Sequence, residues 1–90
     1  MMRPIQTTRR FERNLQATKK RGKNLDKIWQ VVESLGKGEP LANRHRPHRL
    51  SGIWSPCWEC HIEPDWLLIW LDTEEALVLV ATGTHSELFG

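Results

Sequence analysis

The sequence predicts a single α+β domain spanning residues 1–90, in which two N-terminal helices pack on a small antiparallel sheet and a short helical turn ends the chain. Three observations predict this fold. Ninety residues, 39% of them hydrophobic, suffice for one modest core. Apolar residues recur at helical spacing in the first half, and the second half changes to β-rich runs separated by turn signals. Helices followed by consecutive strands are typical of α+β domains.

Two helices are predicted before residue 40. Thr8 is a suitable N-cap for the first helix, and Gly22 is expected to end it. The inward-facing positions of this helix, three or four residues apart, are Phe11, Leu15 and Thr18. Asn24 is a suitable N-cap for the second helix, which Gly36 and Gly38 close. The apolar face of the second helix consists of Leu25, Ile28, Trp29, Val32 and Leu35.

Four short strands are predicted, at residues 3–7, 58–63, 66–71 and 77–81. Pro64 fixes φ at the first corner of a turn, so the second and third strands form a hairpin. A further turn at 72–75 makes the last three strands an antiparallel meander. The polar, proline-containing connection 37–51 predicts no helix, and residues 86–90 predict one helical turn.

The basic and acidic residues are segregated along the chain. Residues 1–50 hold all 13 Lys and Arg with 4 acidic residues, a net charge of +9, whereas residues 51–90 hold 7 acidic residues, a net charge of −7. This arrangement favours a polyanionic partner, either nucleic acid or an acidic protein. The alternative is that the basic helices are solvated faces without a ligand.

The sequence gives no sign of export or membrane insertion. The first residues lack the apolar core of a signal peptide, and the longest apolar run, 66–71, is too short to cross a bilayer. We therefore expect no membrane partner and a cytoplasmic location. In that compartment Cys57 and Cys60 are expected to stay reduced.

The stretch SPCWECH, residues 55–61, contains the Cys-x-x-Cys-His spacing of c-type haem attachment. On a strand that begins at Trp58, however, Cys60 and His61 point to opposite faces. Cys57 and Cys60 are roughly 10 Å apart on an extended segment, beyond the ~7 Å that a disulfide spans, unless Pro56 bends the chain. A structural zinc site needs four closely placed ligands. We therefore expect no cofactor and no metal here.

Four histidines remain as candidates for chemistry: His45, His48, His61 and His85. Each one alone is more simply a solvated loop or strand residue. His48 nevertheless lies in an arginine-rich loop, His61 on the polar face of a strand, and His85 just after the last strand. The sheet can therefore bring these three imidazoles to one rim. An unperturbed imidazole, with a pKa near ~6.5, can act as acid or base near neutrality.

Three motifs occur in the order and with the loop lengths of a known family. They are PHRLSG at 47–52, ECHIEPDWLLIW at 59–70 and ATGTHSELFG at 81–90, preceded by KKRGKNLDKIWQVVESLGKGEPL at 19–41. Over nearly its whole length the chain thus resembles the YafQ branch of the RelE-type toxins of bacterial toxin–antitoxin modules. The resemblance implies a RelE-like fold and a ribosome-dependent endoribonuclease that cuts mRNA in the ribosomal A site. It also implies a DinJ-like antitoxin that anchors the pair to operator DNA.

Carried over by motif, the resemblance implies an active site formed by His48, His61, Asp65, His85 and Phe89. We expect His85 to be the general acid, and His61 or Asp65 the general base that takes the 2′-hydroxyl proton. Phe89 is expected to stack on a nucleobase. A phosphate contact is expected from His48 together with Arg46 or Arg49. The simpler alternative for Asp65 is a structural turn residue, and for Phe89 a core residue that docks the chain end. Trp54 and Trp58 are further candidates for RNA stacking, although core packing is the simpler interpretation of both.

The chain departs from the family pattern at two positions. Members commonly have Gly-Tyr-Arg where this chain has Pro56-Cys57-Trp58, and arginine where it has Ala81. Each departure removes a guanidinium expected near the scissile phosphate, and one such contact is worth roughly 3 kcal/mol, about a hundredfold in rate. Two functions are compatible with the residues: an attenuated but working nuclease, or a toxin fold that acts mainly through antitoxin binding and operator repression.

Overall fold

The computed structural model describes residues 2–90 and confirms the predicted α+β class. Its helices and strands follow one another as β1 (Ile5–Thr7), α1 (Arg9–Lys20), α2 (Asp26–Lys37), β2 (His48–Arg49), β3 (Trp58–Glu63), β4 (Trp66–Asp72), β5 (Leu77–Gly83) and α3 (His85–Phe89). Single 3-10 turns lie at Asn43–His45 and Gly52–Trp54. None of the helices in this described part of the chain has the length and apolar character needed to cross a bilayer.

The strands form one five-stranded sheet in the order β1-β5-β4-β3-β2. Strands β3, β4 and β5 are the predicted antiparallel meander, and β2 adds to its outer edge in antiparallel orientation. The sheet as a whole is mixed, because β1 pairs with β5 in parallel, with Ile5 opposite Leu77.

The two long helices cover one face of the sheet and form the larger core. Phe11 from α1 and Ile28 from α2 are fully buried there against strand residues that alternate toward the helices. The strand contribution to this core consists of Cys60, Ile62, Trp66, Leu68, Trp70, Leu77 and Leu79. The helix spacing of Phe11, Leu15 and Thr18 is thus confirmed as an inward-facing stripe, although Leu15 is only partly buried.

The opposite face of the sheet carries a smaller core, capped by α3. Leu67, Ile69 and Ala81 pack there against Leu88 of α3. Along β3 the alternation of side chains places Glu59 on this second face. Other residues of β3 with the same parity, among them His61, share that face. The smaller core therefore lies on the same face of the sheet as the candidate site.

Some predicted boundaries were wrong. Helix α2 begins at Asp26, and its N-cap position is Leu25 rather than Asn24. The Asn24 side chain still accepts a hydrogen bond from the Asp26 N–H at 3.0 Å, which explains why the N-cap signal was present in the sequence. The connection 37–51 holds a 3-10 turn and strand β2, neither of which was predicted.

The two cysteines are free thiols in different surroundings. Cys60 is fully buried in the helix-side core, and this burial, with the neighbouring Glu59 charge, raises the pKa of its thiol to about 12. Cys57 is half-buried on the other side of the sheet, and burial raises its pKa as well. Cys60 is therefore a core residue of β3, whereas Cys57 precedes that strand and packs on the opposite face of the sheet.

Candidate active site

His61, Asp65 and His85 meet at one end of the sheet. His61 lies on β3 opposite Leu67 of β4, and Leu67 lies opposite Gly83 at the end of β5. This register brings His85, the first residue of α3, next to His61, with ring centroids 5.5 Å apart and planes at 70°. Residues separated by 24 positions in sequence thus become direct neighbours.

Asp65, in the β3–β4 turn, fixes the orientation of His85. Its Oδ1 accepts the backbone N–H of His85 at 2.8 Å and the Nδ1–H of the same residue at 2.5 Å. These hydrogen bonds, the backbone one first, hold the pKa of the Asp65 carboxyl below its usual range. Asp65 is therefore an ionised partner that leaves the Nε2 edge of His85 turned away from it and toward solvent, where the ring is about half exposed.

Glu59 joins His48 to His61 and was not predicted as a site residue. Only 4% of Glu59 is exposed, and its Oε1 lies 3.3 Å from Nε2 of His48 and 3.9 Å from Nε2 of His61. His48 faces Glu59 across the β2–β3 pair, so both side chains emerge on the same face of the sheet. The parity of β3 alone could have placed Glu59 beside His61, but its pairing with His48 required strand β2.

The fourth histidine, His45, contacts the backbone of the candidate site. His45 is buried, and its Nδ1–H donates to the backbone carbonyl of His61 at 2.6 Å. His48 is held in a similar way, because its Nδ1–H donates to the carbonyl of Arg46 at 2.9 Å. The 3-10 turn and β2 therefore fix two imidazoles of the loop against β3.

The structure separates the two arginines expected to contact phosphate. Arg46 lines an open groove of about 480 Å³ together with Arg44 and His61. Arg49 instead lies opposite Trp58 in the β2–β3 pair, with its guanidinium 5.3 Å from the centre of the Trp58 ring on the helix side of the sheet. Arg46 is thus brought to the histidines and Arg49 is not.

Phe89 lies one helical turn after His85 on α3, so both side chains project from the same side of the helix. The Phe89 ring is 45% exposed and meets the Trp54 ring edge-on, with centroids 5.9 Å apart. Phe89 is therefore not the buried core residue of the simpler interpretation. Its exposed surface lies on the same side of α3 as His85.

Helix α3 is short and is held in place by polar contacts at its first turn. Thr84 accepts the Glu87 N–H, while the Glu87 carboxylate accepts the Thr84 N–H at 2.8 Å, which is a capping box. The same carboxylate accepts a hydrogen bond from Arg21, at the end of α1, at 2.8 Å. The Thr84 N–H and then the Arg21 contact lower the pKa of Glu87.

The two departures from the family pattern lie on different faces. Trp58 packs on the helix side, stacked on Trp70, so the argument about a lost phosphate contact does not extend to that position. Ala81 is fully buried on the histidine side, beneath Leu88. Of the two departures, only Ala81 lies on the histidine face, where that position contributes no guanidinium.

The arrangement suits proton transfer and phosphate binding. It supplies two imidazoles in contact, two carboxylates that orient imidazoles, and a groove lined by guanidinium groups. Among residues 2–90, no group of three or more His, Cys, Asp or Glu side chains is placed to hold a metal ion.

The structure is thus a two-helix, mixed-sheet domain with a short C-terminal helix beside the last strand, and comparison with known families gives its class. The family model described as "Bacterial toxin of type II toxin-antitoxin system, YafQ" matches residues 3–90. The chain therefore belongs to the YafQ family of type II toxin–antitoxin toxins.

Similar proteins cover the whole chain. The mRNA interferase toxin YafQ of Escherichia coli strain K12 is 32% identical over 91 residues, which span 100% of this chain and 99% of the relative. YafQ in the E. coli DinJ-YafQ toxin-antitoxin complex superposes with a TM-score of 0.91, 32% identity and full coverage of both chains. A metal-bound toxin from Helicobacter pylori superposes with a TM-score of 0.91 and 37% identity, covering 99% of this chain and all of that one.

Proposed function

We propose that this chain is an mRNA interferase toxin that cuts mRNA in the ribosomal A site by metal-free acid–base catalysis. The observation that carries the proposal is the contact between His61 and His85, with Asp65 bonded to His85. Its relative in E. coli carries the name mRNA interferase toxin. RNA cleavage without a metal needs an acid, a base and positive charge near the phosphate, and the cluster offers all three.

His85 is the general acid in this mechanism. The Asp65 carboxylate accepts its Nδ1–H and stabilises the imidazolium, while Nε2–H faces the substrate side. Donation of the Nε2 proton to the departing 5′-oxygen completes cleavage of the P–O bond. Asp65 is thereby assigned the role of orienting His85.

His61 is the general base. Asp65 is poorly suited to that role, because its lowered pKa makes it a weak base and its Oδ1 already accepts both His85 donors. His61 takes the proton of the 2′-hydroxyl, and the 2′-oxygen attacks the adjacent phosphorus. The products are a 2′,3′-cyclic phosphate and a free 5′-hydroxyl, and Glu59 stabilises the proton that His61 has taken up.

The guanidinium of Arg46 supplies positive charge to the phosphate during this reaction, and His48 lies beside it as the second expected phosphate contact. Arg46 shares a groove with His61, and both ring nitrogens of His48 face acceptor oxygens, one from Arg46 and one from Glu59. Charge placed in advance on the developing phosphorane lowers the barrier. Phe89 stacks on a nucleobase of the same strand and fixes its position.

The proposed partners follow from the family and from the solved complexes. YafQ of E. coli forms a complex with DinJ. We accordingly expect a DinJ-like antitoxin to bind this chain, to inhibit it, and to anchor the pair to operator DNA. A ribosomal substrate places the activity in the cytoplasm.

Buried Ala81 gives a second candidate function a specific basis. The histidine face lacks a guanidinium at that position, so a chain that binds antitoxin and represses transcription but cuts RNA slowly also fits the structure. The two functions differ in one measurable outcome, which is cleavage of mRNA on ribosomes.

The test is induction of the wild-type chain and of His85→Ala in cells without antitoxin, followed by mapping of mRNA 5′ ends on translating ribosomes. We expect growth arrest and codon-phased cuts from the wild type and neither from His85→Ala. Glu75→Gln is the matched control, because Glu75 is exposed in the β4–β5 turn at the far end of β5. Absence of cuts from folded wild-type protein supports the binding function and contradicts the nuclease.

A further inference from the structure

Helix α1 places a cation on the surface next to Phe89. The guanidinium carbon of Arg10 lies 4.9 Å from the centre of the Trp54 ring, and Trp54 contacts Phe89. We propose that Arg10, held over Trp54, binds the phosphate of the nucleotide adjacent to the one that stacks on Phe89. The inference rests on the proposed function, because it takes the ligand to be a single strand of RNA.

The open edge of β5 explains how α1 reaches this surface. Strand β1 pairs only with residues 77–79 of β5. Beyond that point α1 takes its place: the Thr8 hydroxyl donates to the Val80 carbonyl at 2.6 Å, and the Asn14 side chain accepts the Thr82 N–H at 3.2 Å. Arg10 lies between these two anchors on α1 and is therefore fixed relative to the end of β5 that leads into α3.

Arg10 is available for an anion. Several other cations of the chain are engaged, such as Arg3 with Asp72 and Arg21 with Glu87. The ion pairs of residues 2–90 include none with Arg10, whose side chain is exposed. The cation–π attraction of the indole holds the guanidinium near the ring face, and none of its N–H groups has a hydrogen-bond partner in residues 2–90, which suits a phosphate.

The order of groups along this surface matches a single strand of nucleic acid. His85 and Phe89 are one helical turn apart, Trp54 follows Phe89, and Arg10 follows Trp54. Proteins that bind single strands combine aromatic rings for the bases with cations for the backbone. Arg10 also places a guanidinium on the side of the sheet where Ala81 stands in place of the family arginine.

The first measurement is cleavage kinetics on programmed ribosomes. We expect Arg10→Ala to raise KM roughly tenfold with kcat nearly unchanged, and Arg10→Lys to fall between Ala and wild type, because lysine keeps the charge but loses the planar stack. Lys37→Gln removes the same unit charge from α2, where Lys37 pairs with Glu33, and is the control. A KM for Arg10→Ala equal to that of Lys37→Gln overturns the inference.

The second measurement separates this inference from the proposed function. A five-nucleotide 2′-O-methyl RNA, which cannot be cut, is titrated into the free chain while NMR follows the Trp54 indole N–H and the Arg10 Nε–H. In the wild-type chain we expect both signals to shift with one Kd. The Kd reported by the Trp54 signal is expected to be about tenfold weaker in Arg10→Ala and unchanged in Lys37→Gln. If the chain binds this RNA but never cuts mRNA, the inference about Arg10 stands and the proposed nuclease function is wrong. If Arg10→Ala binds like wild type, or the Trp54 signal stays fixed, the inference is wrong.

Discussion

At the scale of single residues, Glu59 is the member of the candidate site that the motifs did not mark. A carboxylate that is almost completely buried is costly unless it has partners, and Glu59 has two imidazoles. Its negative charge and position hold His48 and His61 on the same side of the sheet. Glu59 therefore acts on the reaction through His61.

Replacement of Glu59 by Gln keeps the volume and removes the charge. We expect cleavage of ribosome-bound mRNA to slow about a hundredfold, since His61 loses its carboxylate partner. Adding Glu59→Gln to His61→Ala is expected to cause little further loss, because Glu59 acts through His61, which is already absent. Single-turnover cleavage by the two single variants and the double variant measures this, with Glu75→Gln as control. Losses that multiply would show that Glu59 acts independently of His61.

Motifs and strand parity were sufficient to indicate which residues lie together, whereas their roles stay predictions. His61 and Cys60 do lie on opposite faces of β3, and the loop and C-terminal histidines do converge with Asp65. The choice between Arg46 and Arg49 could not be made from the sequence, because the direction of Arg49 is set by the pairing of β2 with Trp58 of β3, and β2 was not predicted. The Arg10–Trp54 contact joins residues 44 positions apart, and no local pattern specifies it.

At the scale of elements, α3 is the least independent helix of the fold. Its five residues cannot sustain a helix alone, so the Thr84–Glu87 capping box and the Arg21 contact hold it in place. His85 and Phe89 both lie on this helix. The position of the proposed acid therefore depends on contacts that lie outside the reacting groups.

Loss of the Glu87 side chain tests this dependence. We expect Glu87→Ala to reduce cleavage severalfold and to raise hydrogen exchange of the α3 amides, because the cap and the link to α1 are both lost; a cap is worth ~1 kcal/mol. Arg21→Ala removes only the exposed ion pair, worth at most about 1 kcal/mol, and serves as the matched comparison. Equal effects of the two variants would show that the capping box contributes nothing to the helix.

The elements differ in how far the sequence specifies them. Helices α1 and α2 and the meander follow from periodicity and turn residues, which act over a few positions. Strand β2 has two residues and exists only through its pairing with β3. The parallel pairing of β1 joins residues more than 70 positions apart, so local sequence could predict that strand but not its partner.

At the scale of the whole molecule, ion pairs neutralise part of the charge that is segregated along the sequence. Within residues 2–90, four ion pairs join the basic first half to the acidic second half: Arg3–Asp72, Arg21–Glu87, Lys23–Glu63 and Lys27–Glu63. The cations outside these pairs lie mainly on α1 and in the loop before β2, and among them Arg44 and Arg46 share a groove with His61. The net charge that faces a polyanion is therefore local and smaller than the sequence suggests.

These pairs also make the fold sensitive to acid. Hydrogen bonds from Lys23 and Lys27 hold the pKa of Glu63 below its ordinary value of 4.5, so this stabilisation is complete above about pH 4.5 and is lost as the pH falls through the lowered pKa. We expect the urea midpoint, followed by tryptophan fluorescence, to fall as the pH decreases below about 4.5. Glu63→Gln is expected to be slightly less stable at neutral pH and to converge with wild type in acid, whereas Glu75→Gln should follow wild type at every pH. A constant gap between Glu63→Gln and wild type would mean that Glu63 stabilises the fold through packing, since a contribution from its charge must vanish when the carboxyl is protonated in both folded and unfolded chains.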